Sequence, residues 1–244
     1  MIQKSVRTFV IKSYECDKDF NLRVMSVFHL FQHAADMSAE EMGVGYEACR
    51  ERGLGWVGVN YHLRINRLPK WRDAVHLTTW ASGQTAACGI RDFDMRDAEG
   101  EQLLCATSQW ALLDTRKMRP VSLKKAFPGL AFIAERALPD DFKGLHPVAR
   151  VDFSKKITVD FDHLDFNDHV NNSRYPVWGI QAVPPDFYAD YAPADIQIAF
   201  KRPAVLGDVI VIETQMDGAE TRHQFLTPDR GKEFALVNIA WRKK

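Results

Sequence analysis

The chain has 244 residues, 46% of them hydrophobic and 26% charged, with 32 basic and 32 acidic side chains. That length has room for one large core or two small ones, and a formal net charge of zero lacks the basic excess of a general nucleic-acid binder. There is no run of ~18 apolar residues that would span a bilayer, and the N-terminal Met-Ile-Gln-Lys-Ser-Val-Arg has no secretory h-region. The four cysteines, Cys16, Cys49, Cys88 and Cys105, include no C-x-x-C pair. They read as small buried apolar residues of a cytosolic protein.

In chain order, the pattern predicts a short strand over Val6–Tyr14, then a loop carrying Asp19-Phe20-Asn21. A helix follows, with Val24, Val27, Phe28, Phe31, Ala34, Ala35 and Ser38 on one face and Gly43 and Gly45 ending it. Four long strands come next, Trp56–Arg67, Ala74–Gly83, Ala86–Asp97 and Gln102–Asp114, the last two joined by a Glu99-Gly100 turn. The proline-bearing stretch Arg116–Arg150 reads as a crossover with a short helix near Ala131–Ala137. A strand at Val151–Phe161 precedes the box Asp165-Phe166-Asn167-Asp168-His169. Asn171, Asn172 and Ser173 can cap the next helix, with Pro176 in its first turn and Pro184-Pro185 stopping it. The strands Ile196–Arg202, Asp208–Gln215, Thr221–Thr227 and Glu233–Arg242 close the chain, with an Asp229-Arg230-Gly231 turn before the last.

The second half therefore repeats the grammar of the first. Asp19-Phe20-Asn21 matches Asp165-Phe166-Asn167 at an offset of 146, the aspartates Asp73 and Asp208 of two proline turns match at 135, and Trp110 and Trp241 match at 131. Three matches in the same order, with shrinking offsets, mean a duplication with shorter loops in the second copy. One helix against a curved antiparallel sheet, made twice, is an α+β class. The expected organisation is residues 1–118, a linker over 119–150, and residues 151–244.

The run Asp165-Phe166-Asn167-Asp168-His169-Val170-Asn171-Asn172-Ser173-Arg174-Tyr175 resembles the D-x-N-x-H-V-N-N-x-x-Y signature of plant and bacterial acyl-acyl carrier protein (acyl-ACP) thioesterases. Trp56-Val57, Pro69 to Val75, Thr78-Thr79-Trp80, Arg91-Asp92-Phe93 and Ser108-Gln109-Trp110 also resemble that family's first half, so the likeness spans about residues 5–242. It implies a double hot-dog fold with two units side by side sharing a continuous sheet, chemistry in the second unit, and an acyl pocket shaped by the first. One departure stands out. Where the family places a glutamate, often followed by cysteine, this chain has Pro203-Ala204 after Phe200-Lys201-Arg202, and neither can move a proton.

Thioester hydrolysis needs an activated water and a stabilised carbonyl oxygen. His169 suits a general base, since a histidine ordinarily titrates near ~6.5. Asp165 could orient the imidazole or act on the water, and Asn167 offers an amide to the water or the carbonyl. Backbone N–H groups near Asn171–Ser173 would suit developing negative charge. In the first copy the offset of 146 puts Arg23 at the place of His169, and arginine cannot serve as a base. Taken alone, D-x-N-x-H in a loop is ordinary Asx-turn chemistry; the repeat and the resemblance are what move the reading to catalysis.

Asn171 and Asn172 are either caps or contacts for the pantetheine arm. Phe28 and Phe31, with Met25, are candidates for the acyl pocket. His163 reads as a surface residue, and His29 and His33, four apart on one helix, read as packing rather than as metal ligands. No cofactor or metal is called for. The expected partner is an acyl carrier protein bearing a fatty acyl chain, an acidic protein that would dock on cations such as Arg174, Lys201 and Arg202, or Lys124 and Lys125. Neither nucleic acid nor membrane is expected, and the chain could be a monomer or a homodimer. The alternatives are an acyl-CoA thioesterase, a hydratase on the same fold, or an acyl- or ACP-binding relative without catalysis, which the loss of the acid at Pro203 favours.

Overall fold

The computed structural model describes residues 3–85 and 88–244, and the chain divides into two compact units at Asp140/Asp141. In the first unit the described residues form β1 (Ser5–Val10), α1 (Val24–Glu41), α2 (Tyr46–Glu51), β2 (Leu54–Ile65), β3 (Ala74–Gln84), β4 (Cys88–Asp97), β5 (Gln102–Asp114), β6 (Arg119–Pro120) and α3 (Leu123–Ala126). The strands are antiparallel in the order β1-β3-β4-β5-β2, with β6 on β5. The second unit has β7 (Phe153–Thr158), α4 (Arg174–Ile180), α5 (Pro185–Asp190), β8 (Tyr191–Phe200), β9 (Val209–Asp217), β10 (Glu220–Leu226) and β11 (Glu233–Lys243). Its order, β7-β9-β10-β11-β8, repeats the first. Each unit is the helix-on-curved-sheet arrangement expected of a hot-dog. No helix among the described residues is long and apolar enough to cross a membrane.

α1 forms where the 3.6-residue apolar stripe predicts it. Val24, Val27, Phe28, Phe31, Ala34 and Ser38 are buried, joined by Ser26 and Leu30, while Ala35 is half-buried. Gly43, at φ +69°, ends the helix in a geometry that glycine adopts at little cost. Gly45 instead starts α2, a turn of helix absent from the sequence reading. Phe31 stacks on Phe93 at 4.6 Å between ring centres, and Tyr61 stacks on both. Beside this stack Arg91 is half-buried, its guanidinium donating to Ser38 and Thr79. Burial pushes its pKa down to about 10.

Several boundaries differ from expectation. β1 stops at Val10 and β7 at Thr158, because Ser13–Glu15 and Phe161–His163 wind into 3-10 turns. The expected start of β4 at Ala86 lies outside the described residues. β8 begins at Tyr191, five residues before the expected Ile196, despite Pro193. The pairing register shifts at Ala240/Trp241, opposite that proline, as tolerated at bulges. Pro184 and Pro185 both stop α4 and start α5, where a proline fits the first helical turn.

The helix expected near Ala131–Ala137 does not form. Asp92, on β4 and fully buried, takes the backbone N–H groups of Ala137 and Leu138 at 3.0 and 3.4 Å. It also pairs with Arg136 at 3.0 Å and accepts from Ser82. Ile133 N–H donates to Ala81, and the Trp80 indole donates to the Glu135 carbonyl. These donors are spent on the sheet, so the segment lies extended across the first unit.

Candidate functional site

The box in the second unit is a tight turn whose shape comes from its own aspartate. Leu164 and Val170 pair as an antiparallel bridge. Asp165 N–H donates to the His169 carbonyl at 2.8 Å, Asp168 N–H donates to the Asp165 carbonyl at 3.1 Å, and the Asp165 carboxylate accepts the Asn167 N–H at 2.8 Å. Asp168 sits at φ +59°, the left-handed region that aspartate tolerates better than most residues. A 3-10 turn, Phe161–His163, leads in: Asp160 N–H donates to the His163 ring at 2.9 Å, and that ring meets Trp178 edge-on. Val170 N–H donates to Ala204, so the loop after β8 backs the box.

The first unit builds the same turn, but not at the offset read from the sequence. Its bridge is Cys16 to Leu22. Asp17 N–H donates to the Asn21 carbonyl, Phe20 N–H to the Asp17 carbonyl, and the Asp17 carboxylate accepts the Asp19 N–H; Phe20 sits at φ +63°. Asp17, Asp19 and Asn21 therefore match Asp165, Asn167 and His169 at an offset of 148. This corrects the alignment at 146, which paired identical letters rather than identical hydrogen bonds. The residue at the place of His169 is Asn21, not Arg23. The chemical contrast survives, since asparagine is no base. The offset of 135 holds: Lys70 N–H donates to Asp73 and Val205 N–H to Asp208, at 2.8 and 2.9 Å. So does the offset of 131, because Gln102 and Glu233 each stand just before a bulge in matching hairpins.

The Asx turn of Asp165 is common to both copies and so is a device for shaping the loop. His169, half-buried, and Asn167, exposed, are what the second copy has in place of Asn21 and Asp19. Among the described residues no hydrogen bond joins the side chains of Asp165, Asn167 and His169 to one another.

The sequence matches the description "Acyl-ACP thioesterase N-terminal domain" over residues 3–128 and "Acyl-ACP thioesterase C-terminal domain" over residues 148–243. The chain belongs to the acyl-ACP thioesterase family. A dodecanoyl-acyl-carrier-protein hydrolase, chloroplastic, from Umbellularia californica is 29% identical over 98% of this chain and 67% of its own length. An oleoyl-acyl carrier protein thioesterase from Arabidopsis thaliana is 25% identical over 83% and 61%. The solved structure of a 12:0-ACP thioesterase from Umbellularia californica superposes with a TM-score of 0.87 at 27% identity, covering 98% of this chain and 97% of that one. The chain spans 60–67% of the length of the curated family members it matches.

Against this family background the remaining candidates fall into place. Pro203, where the acyl-ACP thioesterases usually carry an acid, is exposed in the loop behind the box. The one acid of residues 200–208, Asp208, spends an oxygen on Val205 N–H. The expected anion site at Asn171–Ser173 is largely used up: Asn171 N–H donates to the His163 carbonyl, and Ser173 N–H to the Asn171 side chain in a turn just before α4. Asn172 keeps its side-chain amide without a partner among the described residues. Phe28 and Phe31 are buried in the first unit's own core. Arg174 is engaged by the Asp162 carbonyl and carboxylate, whereas Lys201 and Arg202 are exposed. Among the described residues no group of three His, Cys, Asp or Glu is placed to hold a metal.

The sequence reading missed His223. Its ring lies between the hydroxyls of Thr214 and Thr221 at 2.9 and 2.8 Å, and Trp241 donates to the latter. A Cβ on Gly179 of α4 would meet this ring at 3.2 Å. Burial alone pushes the His223 pKa down to about 3, so the ring is neutral. Its signal was a lone histidine facing inward on an alternating strand, which sequence alone cannot tell from a surface one.

Proposed function

We infer that the chain hydrolyses fatty acyl thioesters of acyl carrier protein, releasing the free acid and ending chain elongation. The observation that carries this is the substitution pattern of the duplicated turn. The same backbone holds Asn21 in one copy and a histidine, the best-suited base at neutral pH, in the other. His169 takes a proton from water as its oxygen bonds to the thioester carbon. The carbon–sulfur bond then breaks, and the leaving thiolate takes that proton from the imidazolium. Asn167 is the amide for the water or the carbonyl oxygen, and Asp165 holds the turn that presents both. Asn172 is the free amide suited to the pantetheine arm. A covalent route through Ser173 is disfavoured by its burial. The names of the relatives support the acyl-carrier substrate, and the four buried free thiols suit a reducing compartment such as the cytoplasm.

The test is release of free fatty acid from a series of acyl-ACP and acyl-CoA thioesters, with His169→Ala beside the parent chain. Hydrolysis of acyl-ACP that His169→Ala loses, by about 10²-fold or more, supports the reading. A parent chain inert toward every thioester overturns it. It would favour the second reading, a binding relative without catalysis, which Pro203 at the family's acid position suggests.

A further inference from the structure

One end of the first unit concentrates positive charge in a chain that is neutral overall. β5 ends at Asp114, the chain turns, and β6 pairs back with Leu113 opposite Pro120 and Asp114 opposite Arg119. Arg116, Lys117 and Arg119 lie on this hairpin, and Lys124 and Lys125 on α3, which follows it. All five are exposed, and none makes an ion pair among the described residues. Several arginines elsewhere are neutralised: Arg67 by Asp97, Arg96 by Asp94, Arg150 by Asp152 and Asp217, Arg174 by Asp162, and Arg230 by Glu213.

The five cations stand on a fixed base. Leu123 of α3 is buried with Val44, Cys49, Leu112 and Phe127. Thr115 ties the hairpin to the start of β2 through two bonds of 3.0 Å to the Gly53 carbonyl, and the Arg52 guanidinium adds a further cation 5.1 Å from the Phe127 ring. Asp114, the acid of the turn, accepts the N–H groups of Lys117 and Arg116, so it shapes the hairpin. On α2, Glu47 is paired with Arg50 at 2.9 Å. Between the cations Met118 projects with 67% of its surface exposed, an adaptable apolar contact of the kind used at binding surfaces.

We propose that this hairpin-and-helix face docks the acyl carrier protein, its acidic surface set against Arg116, Lys117, Arg119, Lys124 and Lys125 around Met118. The proposal rests on the thioesterase reading for its partner. An acidic protein fits better than nucleic acid, because the patch is small, has an apolar centre, and none of Arg116–Arg119, Lys124 and Lys125 is an aromatic on which bases could stack. Rim charges of this kind chiefly accelerate encounter and are screened by salt. The five outnumber Lys201 and Arg202, the exposed cations of the loop after β8.

The experiment uses two double variants of the full chain, Lys117→Glu with Arg119→Glu and Lys124→Glu with Lys125→Glu, each checked for native circular dichroism. The readout is the ratio of kcat/KM on acyl-ACP to that on the carrier-free S-acyl-pantetheine, at low and high salt. Expected is a fall of about tenfold or more in that ratio at low salt for both, with the loss in KM and a flattened salt dependence. A parent-like ratio and salt dependence in both variants overturns the proposal. So does the same loss appearing in Lys201→Glu with Arg202→Glu instead. If the parent chain hydrolyses no thioester, the thioesterase reading fails by itself and docking is read from direct binding of holo-ACP. Binding lost in the double variants upholds the face; absent or unchanged binding overturns it. Tighter binding of RNA or of anionic phospholipid vesicles than of ACP, lost in the same variants, also overturns it.

Discussion

Replacing His223 with glutamine keeps a neutral hydrogen-bonding side chain between Thr214 and Thr221 but removes a group that can titrate. In the native chain burial holds the His223 pKa near about 3; in the unfolded chain it returns to the usual ~6.5. As the pH falls below ~6.5 the unfolded state takes a proton that the native state refuses until about 3. Stability contributed by the neutral ring is therefore full above the unfolded value and declines through that window. Between pH 7 and pH 5 the linkage amounts to about 2 kcal/mol, from roughly 1.4 kcal/mol per pH unit. Urea unfolding of the parent and His223→Gln at both pH values isolates this term, because the other titrating groups are common to both chains. The parent should lose about 2 kcal/mol more than the variant on acidification. Equal losses would show that His223 is solvated or charged in the native state and refute the reasoning.

Two further outcomes follow from the packing and the duplicated turn. Asp92→Ala should destabilise the chain by about 3 kcal/mol in urea unfolding, because it strands Arg136 and the N–H groups of Ala137 and Leu138 at once; a change within ~0.5 kcal/mol would mean that the extended segment is held by other contacts. Asp165→Ala and Asp17→Ala should each cost about 1 kcal/mol of stability, but only Asp165→Ala should lower thioester turnover in steady-state assays; equal loss of turnover from Asp17→Ala would break the division of labour between the copies.

The strands were legible because their period and turn chemistry are local: β5 runs over Gln102–Asp114 as read, and Gly100, at φ +88°, makes the turn before it. The box was legible because Asp165, Asn167 and His169 stand in one short run. What escaped depends on partners far along the chain. The extended path of residues 131–138 follows from Asp92, some forty residues earlier, capturing their donors. The engagement of Arg174 follows from Asp162 across the 3-10 turn. The offset error has the same origin: Asp19 and Asn21 look like Asp165 and Asn167, yet the hydrogen bonds that define the turn begin at Asp17.

Because one turn is built twice by the same hydrogen bonds, its chemistry and its folding are separable. Only Asp17 and Asp165 are shared between the two turns, and they supply the side-chain acceptors; Asp19 against Asn167 and Asn21 against His169 supply none. A duplicated gene could thus exchange a titratable side chain for an inert one, or the reverse, without remaking the loop. The first copy is in that sense a spare socket, and Asn21→His with Asp19→Asn is the short mutational path by which it would acquire the side chains of the second.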